Sequence, residues 1–419
     1  MNRPQHERDD QRVLFNMERI RYFFSSIGYR IRSMFSSKKF KRFAPLGIIA
    51  LMAIVTFATC IPWQIPEPEP PPEPPPVIET PTPPPPPPPP EPDPEPEPDP
   101  EPEPEPEYTG PFNPLTGLPT EEDISGNRPL AIVINNHRDA QPQVGISKAD
   151  IIYEVLVEGD ITRMLALYQD VTDIGIIGSI RSARSYTVDI AQSYDAIFIF
   201  AGASPQAYAV LRNRPVTYLD DVTGRGTEIY SRDSSRRSSM GFEHSLVTSG
   251  SRLLQHLPTL SLNLRLEHPE GYERALSFAE DGTPEGGLPA IDFTVRFGQN
   301  SKTTAFSFSD ETGLYNLRQY GGAYVDGNDR SQIAVTNVLI LRMSTGGVPG
   351  DREGRLNITT TGSGTGYYVC GGEYVAINWS RANESSQFVY TLEDGSDLVL
   401  GQGKTYICII RNNMDVEFS

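Results

Sequence analysis

The sequence predicts an α+β protein: an N-terminal α/β layered domain followed by a mainly antiparallel β domain, behind a transmembrane helix and a disordered proline-rich linker. Three observations predict this. An uncharged apolar run of about twenty residues lies near the start, long enough to cross a bilayer core as a helix. Of the 40 prolines, 28 fall between Pro62 and Pro114, and beyond them the periodicity of the chain changes near residue 285. At 419 residues and 37% hydrophobic content, the chain is too long for one domain and too polar to be folded throughout.

Charge is segregated along the chain. Residues 1–42 hold 11 Lys/Arg against 4 Asp/Glu and residues 63–107 hold 13 acids and no base, which leaves −12 of the total −18 on residues 108–419. An acidic folded part disfavours nucleic acid as a partner, since that needs a broad cationic surface.

Taken in order, residues 1–42 form a basic cytoplasmic tail. Ile20, Phe23, Phe24, Ile27, Ile31, Met34 and Phe35 recur there at helical spacing among Arg and Lys. That suits a helix lying on an anionic membrane surface, the alternative being a disordered basic tail. Residues 43–63 form the transmembrane helix. The cluster Lys38–Arg42 on its N-terminal side orients it with the C-terminal domains extracellular. The competing reading is a lipoprotein signal ending at Cys60. Phe57, Ala58 and Thr59 before it are poor lipobox residues, and 42 residues is a long preface for a signal peptide, so the uncleaved span is preferred. Residues 64–112 are the linker: proline removes donors and fixes φ, so a polyproline II spacer is expected, with no recognition role required.

Residues 113–285 alternate strand-like runs (Leu130–Asn135, Ile151–Val157, Met164–Tyr168, Ile176–Ile180, Ala196–Phe200) with helix-like ones (Tyr186–Ser193, Pro205–Arg212), the signature of α/β layers. Residues 286–419 carry short alternating runs such as IDFTVRFG and TNVLILRM between Gly, Asp, Asn and Ser turns, which reads as an antiparallel sheet, sandwich or barrel. The change-over is expected in Asp281–Pro289, and Gly362–Gly366 is read as a hairpin. Cys370 and Cys408 lie in strand-like segments, so outside the cell a disulfide between them is expected, with two buried thiols as the alternative.

Chemistry concentrates between Ile151 and Ala207. Glu154, Glu158, Arg163, Arg181 and Arg184 stand at the ends of apolar segments, where a fold tends to build sites. In Gly178–Arg184 a serine, Ser179 or Ser182, can cap the following helix. Backbone N–H groups, helix dipole and two guanidinium forks then favour one anion. The alternative is that Glu154 and Glu158 neutralise the arginines internally. A second group, Arg232, Arg236 and Arg237 with His244, offers further cations and an imidazole that titrates near neutrality. HExxH, paired CxxC, a G-x-S-x-G around Ser204 and a P-loop are all missing, and His256 and His268 have no partner at ligand spacing. No metal or cofactor is expected.

These motifs carry a resemblance. NPLTGLP at Asn113–Pro119, RPLAIVINN at Arg128–Asn136, the Tyr153-Glu154 pair, EGDITR at Glu158–Arg163, RSAR at Arg181–Arg184 and FAGASPQA at Phe200–Ala207 resemble the YerB-like family of bacterial membrane-attached proteins. Asp160 stands where that pattern has glycine and Phe200 where it has histidine; Arg232-Asp233, Arg236 and His244-Ser245 resemble a further segment of the pattern, with Ser245 where it has asparagine. The resemblance implies an N-terminal and a C-terminal domain of unknown biochemical function, and its members are often described as lipoproteins. A mechanism resting on a histidine at position 200 is closed to this chain.

The function expected is that of a membrane-anchored extracytoplasmic envelope protein, binding or scaffolding. It would recognise an anionic cell-wall or lipid-linked ligand through Arg163, Arg181, Arg184, Arg232, Arg236 and His244, with Glu154 and Glu158 orienting them. An envelope protein is a further candidate partner. Two alternatives stand beside it. One is an enzyme acting on wall polymers or pyrophosphate-linked lipids, by fold-level analogy to the LytR-CpsA-Psr ligases, and the other is a purely structural tether.

Overall fold

The computed structural model describes residues 109–419. The basic tail, the apolar run with Cys60 and all of the proline-rich linker before residue 109 lie outside the described residues. Among the described residues no helix is long and apolar enough to cross a membrane.

Strands dominate a mixed α+β fold. Its four α-helices among the described residues, α1 (Ser185–Ser193), α2 (Pro205–Asn213), α3 (Ser234–Met240) and α4 (Gly250–His256), all precede residue 286. The centre is an eleven-stranded sheet. Its principal strands are β1 (Leu130–Asn135), β2 (Ile151–Leu156), β3 (Thr162–Tyr168), β4 (Ile197–Phe200), β5 (Tyr218–Asp220), β6 (Asn337–Met343), β7 (Gly362–Cys370), β8 (Glu373–Arg381) and β9 (Thr405–Arg411). They lie in the order β8-β7-β6-β9-β2-β3-β1-β4-β5. β2 runs parallel to β9, with Ile151 opposite Thr405, so the sheet continues from one half of the chain into the other. β1, β4 and β5 are mutually parallel and end at one edge.

β1, β2 and β3 are buried along their whole length, because both faces of the sheet are covered. Side chains alternate across a strand. On one face Ile132, Ile152, Met164 and Ile340 share a core with Phe293, Phe306, Tyr315 and Leu317 of a second, antiparallel sheet built from Asp292–Arg296, Thr303–Ser309 and Leu314–Gln319. On the other face Val133, Val155, Phe198 and Ile409 meet Tyr186 and Ile190 of α1 and Ala207 and Leu211 of α2. The result is three layers: helices, central sheet, second sheet. Deleting a ring such as Phe306, 1% exposed, would cost about 3–5 kcal/mol through lost burial and the cavity left behind.

The same alternation overturns the disulfide. Cys370 and Cys408 are free and buried. Cys370 belongs to the helix-side core and Cys408 to the opposite one, with β6 between their strands. Two strand spacings amount to ~10 Å, out of disulfide reach. Gly362–Gly366 is likewise no hairpin: it is the first half of β7, and the turn falls at Gly371-Gly372, both with positive φ. A Cβ at Gly364 would sit 2.6 Å from Trp379 Nε1 and one at Gly366 2.3 Å from the Ile340 carbonyl, so these glycines serve close strand approach.

Candidate anion site

The segment Arg181–Arg184 threads between the ends of β1 and β4 as extended chain. The Arg181 N–H donates to Val133 O at 2.9 Å, Ala201 N–H to Arg181 O at 3.1 Å, and Ala183 N–H to Gly202 O at 2.9 Å. In extended chain, residues an odd number of positions apart face opposite ways. Arg181 and Arg184 therefore part company, and of the eight residues singled out from sequence seven fall into three groups while Arg236 stands apart.

The first group turns inward. Arg184 occupies the N-cap position of α1, where Thr187 Oγ1 accepts its N–H at 3.0 Å; neither Ser182 nor Ser179 caps the helix. Its guanidinium grips Glu158 through both oxygens, with Nε 3.0 Å from Oε2. Arg163 donates to Ser182 O at 2.6 Å and lies 3.9 Å from Glu158 Oε1. Burial, and then the charge of Arg184, push the Arg163 guanidinium down to about 9, so it stays cationic at neutral pH. Burial alone would raise Glu158, but hydrogen bonds from Arg184 and the two positive charges outweigh it and hold the carboxyl below its ordinary value. Arg163 and Arg184 are buried, and one glutamate answers both.

The second group faces solvent. Arg181 keeps 28% of its side chain exposed and among the described residues pairs only with Glu243, itself 73% exposed, at 3.3 Å, along with the Glu243 carbonyl at 3.2 Å. Its Nε is buried with no hydrogen-bond partner among the described residues. Arg232 lies 3.8 Å from Asp221, 4.0 Å over the exposed Phe242 ring, and donates to Phe242 O at 2.9 Å. His244 Nδ1 accepts from Asn135 Nδ2 at 2.9 Å, and its ring stacks on His137 at 5.8 Å. Burial lowers the His244 pKa, and the charges of Arg181 and His137 lower it further; after burial and Arg237, Arg181 also lowers Arg232. Arg181, Arg232 and His244 thus share one field. Arg236 is different: 7% exposed, it donates to the carbonyls of Ala140 and Pro142 at 2.7 Å and of His244 at 3.0 Å, so each of its nitrogens is committed to fixing the loops.

The third group is Glu154 alone, fully buried and, among the described residues, bound to no arginine. Its carboxylate pairs with Lys302 at 2.5 Å and accepts from Asn136, Thr162, Thr304 and Tyr406. Lys302 comes from the other half of the chain, which is why no local spacing announced it.

His137, Asp139 and His244 place one candidate ligand atom each within 4.8 Å of one another. The donor set fits a metal poorly. Asn135 Oδ1 is held by the His137 N–H at 3.0 Å, which commits Nδ2 to His244 Nδ1 and leaves the imidazole proton on Nε2, the atom a cation would need bare. Shape and charge also point to different places, since a groove of about 510 Å³ lies beside Phe112, Asn113, Gly117, Arg274 and Phe278, away from these arginines. The charged edge is the better candidate because it holds groups that recognise an ion.

Where the chain departs from the resembled pattern, the departures have structural counterparts. Phe200 is fully buried, 4.8 Å from the Phe198 ring. Asp160 takes φ 55, a left-handed value that glycine adopts freely and aspartate tolerates. Ser245 donates to Phe242 O at 2.9 Å.

Residues 115–263 match the family described as protein of unknown function (DUF3048) N-terminal domain, and residues 293–407 match its C-terminal domain. A Bacillus subtilis (strain 168) protein named "Putative lipoprotein YerB" is 29% identical over 299 residues, 71% of this chain and 85% of that protein. A crystal structure of the Bacillus subtilis YerB protein superposes with TM-score 0.63 at 28% identity, covering 74% of this chain and 99% of that one. With both domains present in order and the fold shared, the chain belongs to the YerB-like family.

Proposed function

We propose that this is a membrane-anchored, extracytoplasmic binding protein of the cell envelope whose α/β part takes a phosphate- or carboxylate-bearing ligand at the edge formed by Arg181, Arg232 and His244. One observation carries the reading. Arg181 presents a partly exposed guanidinium with an unpartnered Nε beside two further cationic or titratable groups, and its acidic partner, Glu243, sits in solvent where it is easily displaced. Solvated pairs of this kind contribute only ~0–1 kcal/mol, whereas a charge-assisted hydrogen bond to a sheltered ligand contributes ~1.5–3 kcal/mol. The ends of the parallel strands β1, β4 and β5 are also where open α/β sheets take ligands. The apolar run at 43–63 supplies the single-pass anchor, or Cys60 a lipid one, in keeping with the lipoprotein name of the relative.

Calorimetry tests this with pyrophosphate and with anionic wall fragments as probes. Arg181→Ala should weaken binding about tenfold to a hundredfold while the melting temperature holds. Equal affinities for wild type and variant would remove the site.

A further inference from the structure

We propose that Lys302 and Asn136 are joined by an intramolecular amide bond, formed with Glu154 as the proton carrier, which staples the two halves of the folded region together. The geometry points to this independently of the anion site. Lys302 Nζ and Asn136 Nδ2 converge on one atom, Glu154 Oε1, at 2.5 and 2.9 Å. All three side chains are buried: Asn136 and Glu154 fully, Lys302 to within 7%. The Asn136 carbonyl is polarised from its other side by Gln143 Nε2, 3.1 Å from Oδ1. The rings of Tyr320 and Phe297 lie 5.5 and 5.9 Å from Nζ.

That set contains a nucleophile, an electrophile, an oxyanion donor and an acid/base. Burial pushes the Lys302 ammonium down from its ordinary value, against the opposing pull of Glu154, so transfer of one proton to the carboxylate leaves a neutral pair that the apolar interior favours. The lone pair freed on Nζ attacks Asn136 Cγ, and the negative charge that develops on Oδ1 is met by the Gln143 N–H. Glu154 relays a second Nζ proton to Nδ2. The Cγ–Nδ2 bond then breaks with its electrons staying on nitrogen, and ammonia departs. One Nζ–Cγ bond is made, one Cγ–Nδ2 bond is broken, a single proton remains on Nζ and one on Glu154; nothing is oxidised. Thr162, Thr304 and Tyr406 hold the carboxylate in place for both transfers, and the closed core keeps out water that would compete as nucleophile. The link would tie the segment matching the N-terminal domain to the one matching the C-terminal domain, in a chain whose two described cysteines cannot do so.

Peptide mapping of the purified full-length protein by tandem mass spectrometry after trypsin tests it. The expected result is a branched peptide containing both Asn136 and Lys302, lighter by one ammonia than its two arms, with no cleavage after Lys302. Glu154→Gln should return two linear peptides, and Lys302→Arg should do so even where Glu154→Gln fails to fold. Wild-type protein that yields both linear peptides at their sequence masses overturns the proposal, as does an ammonia loss without the branch.

Discussion

Arg184 and Arg181 are three positions apart in one extended segment and sit in opposite electrostatic situations. Arg184, with Arg163, is buried against Glu158, and each member of that group is answered by another. Arg181, with Arg232 and His244, stands at the rim and has only exposed or distant acids as partners. A dense run of arginines is therefore not one site: the pleat of an extended chain assigns alternate members to fold and to surface. Substitutions on the two sides should therefore separate stability from binding.

The largest effect is expected inside. Arg184→Ala leaves Glu158 to Arg163 at 3.9 Å, and breaking a fully buried pair costs ~3–5 kcal/mol; because Glu158 keeps that second cation and a quarter of its surface, about 2–3 kcal/mol is the expected loss in denaturant unfolding. Any effect on anion affinity should be secondary to that. A loss as small as that of a surface substitution would break the comparison. Arg181→Ala is the mirror case, with stability changed by no more than ~1 kcal/mol.

Acid should distinguish the two groups next. The Glu158 carboxyl titrates below its ordinary value in the fold, so its contribution is present above pH 4.5 and is lost as pH falls through the lowered folded value. His244 is also lowered, which means the folded protein favours neutral imidazole. Its contribution is present above pH 6.5 and fades as pH drops from there toward the folded value. Unfolding curves of wild type and His244→Gln should thus diverge in pH dependence just below 6.5, while Glu158→Gln alters only the more acidic limb. An anion bound beside His244 would raise its pKa, so affinity should rise as pH falls from 7 to 6, and His244→Gln should flatten that rise.

The smallest effect belongs to Glu243→Gln. Removing the solvent-exposed competitor of Arg181 should strengthen anion binding a few-fold and leave stability within about 0.5 kcal/mol. Weakened binding would mean that Glu243 belongs to the site rather than guarding it.

Much of the fold was legible because it is local. Helix α2 starts at Pro205 as the helix-like run Pro205–Arg212 predicts, with Ser204 Oγ accepting the Ala207 N–H at 3.2 Å, and the runs at β1, β2 and β3 are strands as their apolar patterns predict. Features that depend on distant pairing were not legible. No spacing reveals that Ile151 lies beside Thr405, and from that register come the Lys302–Glu154 contact and the separation of Cys370 from Cys408. In the candidate site, the residue types were readable but their partition was not. Asn135, inside the RPLAIVINN motif, and His137, next to it, gave no signal as site residues, because a histidine in a loop gains meaning only when a second one, His244, is brought over it.

The partition itself can be measured most directly by chemical labelling. Phenylglyoxal modifies accessible guanidinium groups, and peptide mapping reads each arginine separately. Arg181 and Arg232 should be modified rapidly, Arg163, Arg184 and Arg236 slowly, and Arg181 should be protected when pyrophosphate is added. Arg184 modified as fast as Arg181, or Arg181 labelled equally with and without the anion, would contradict it.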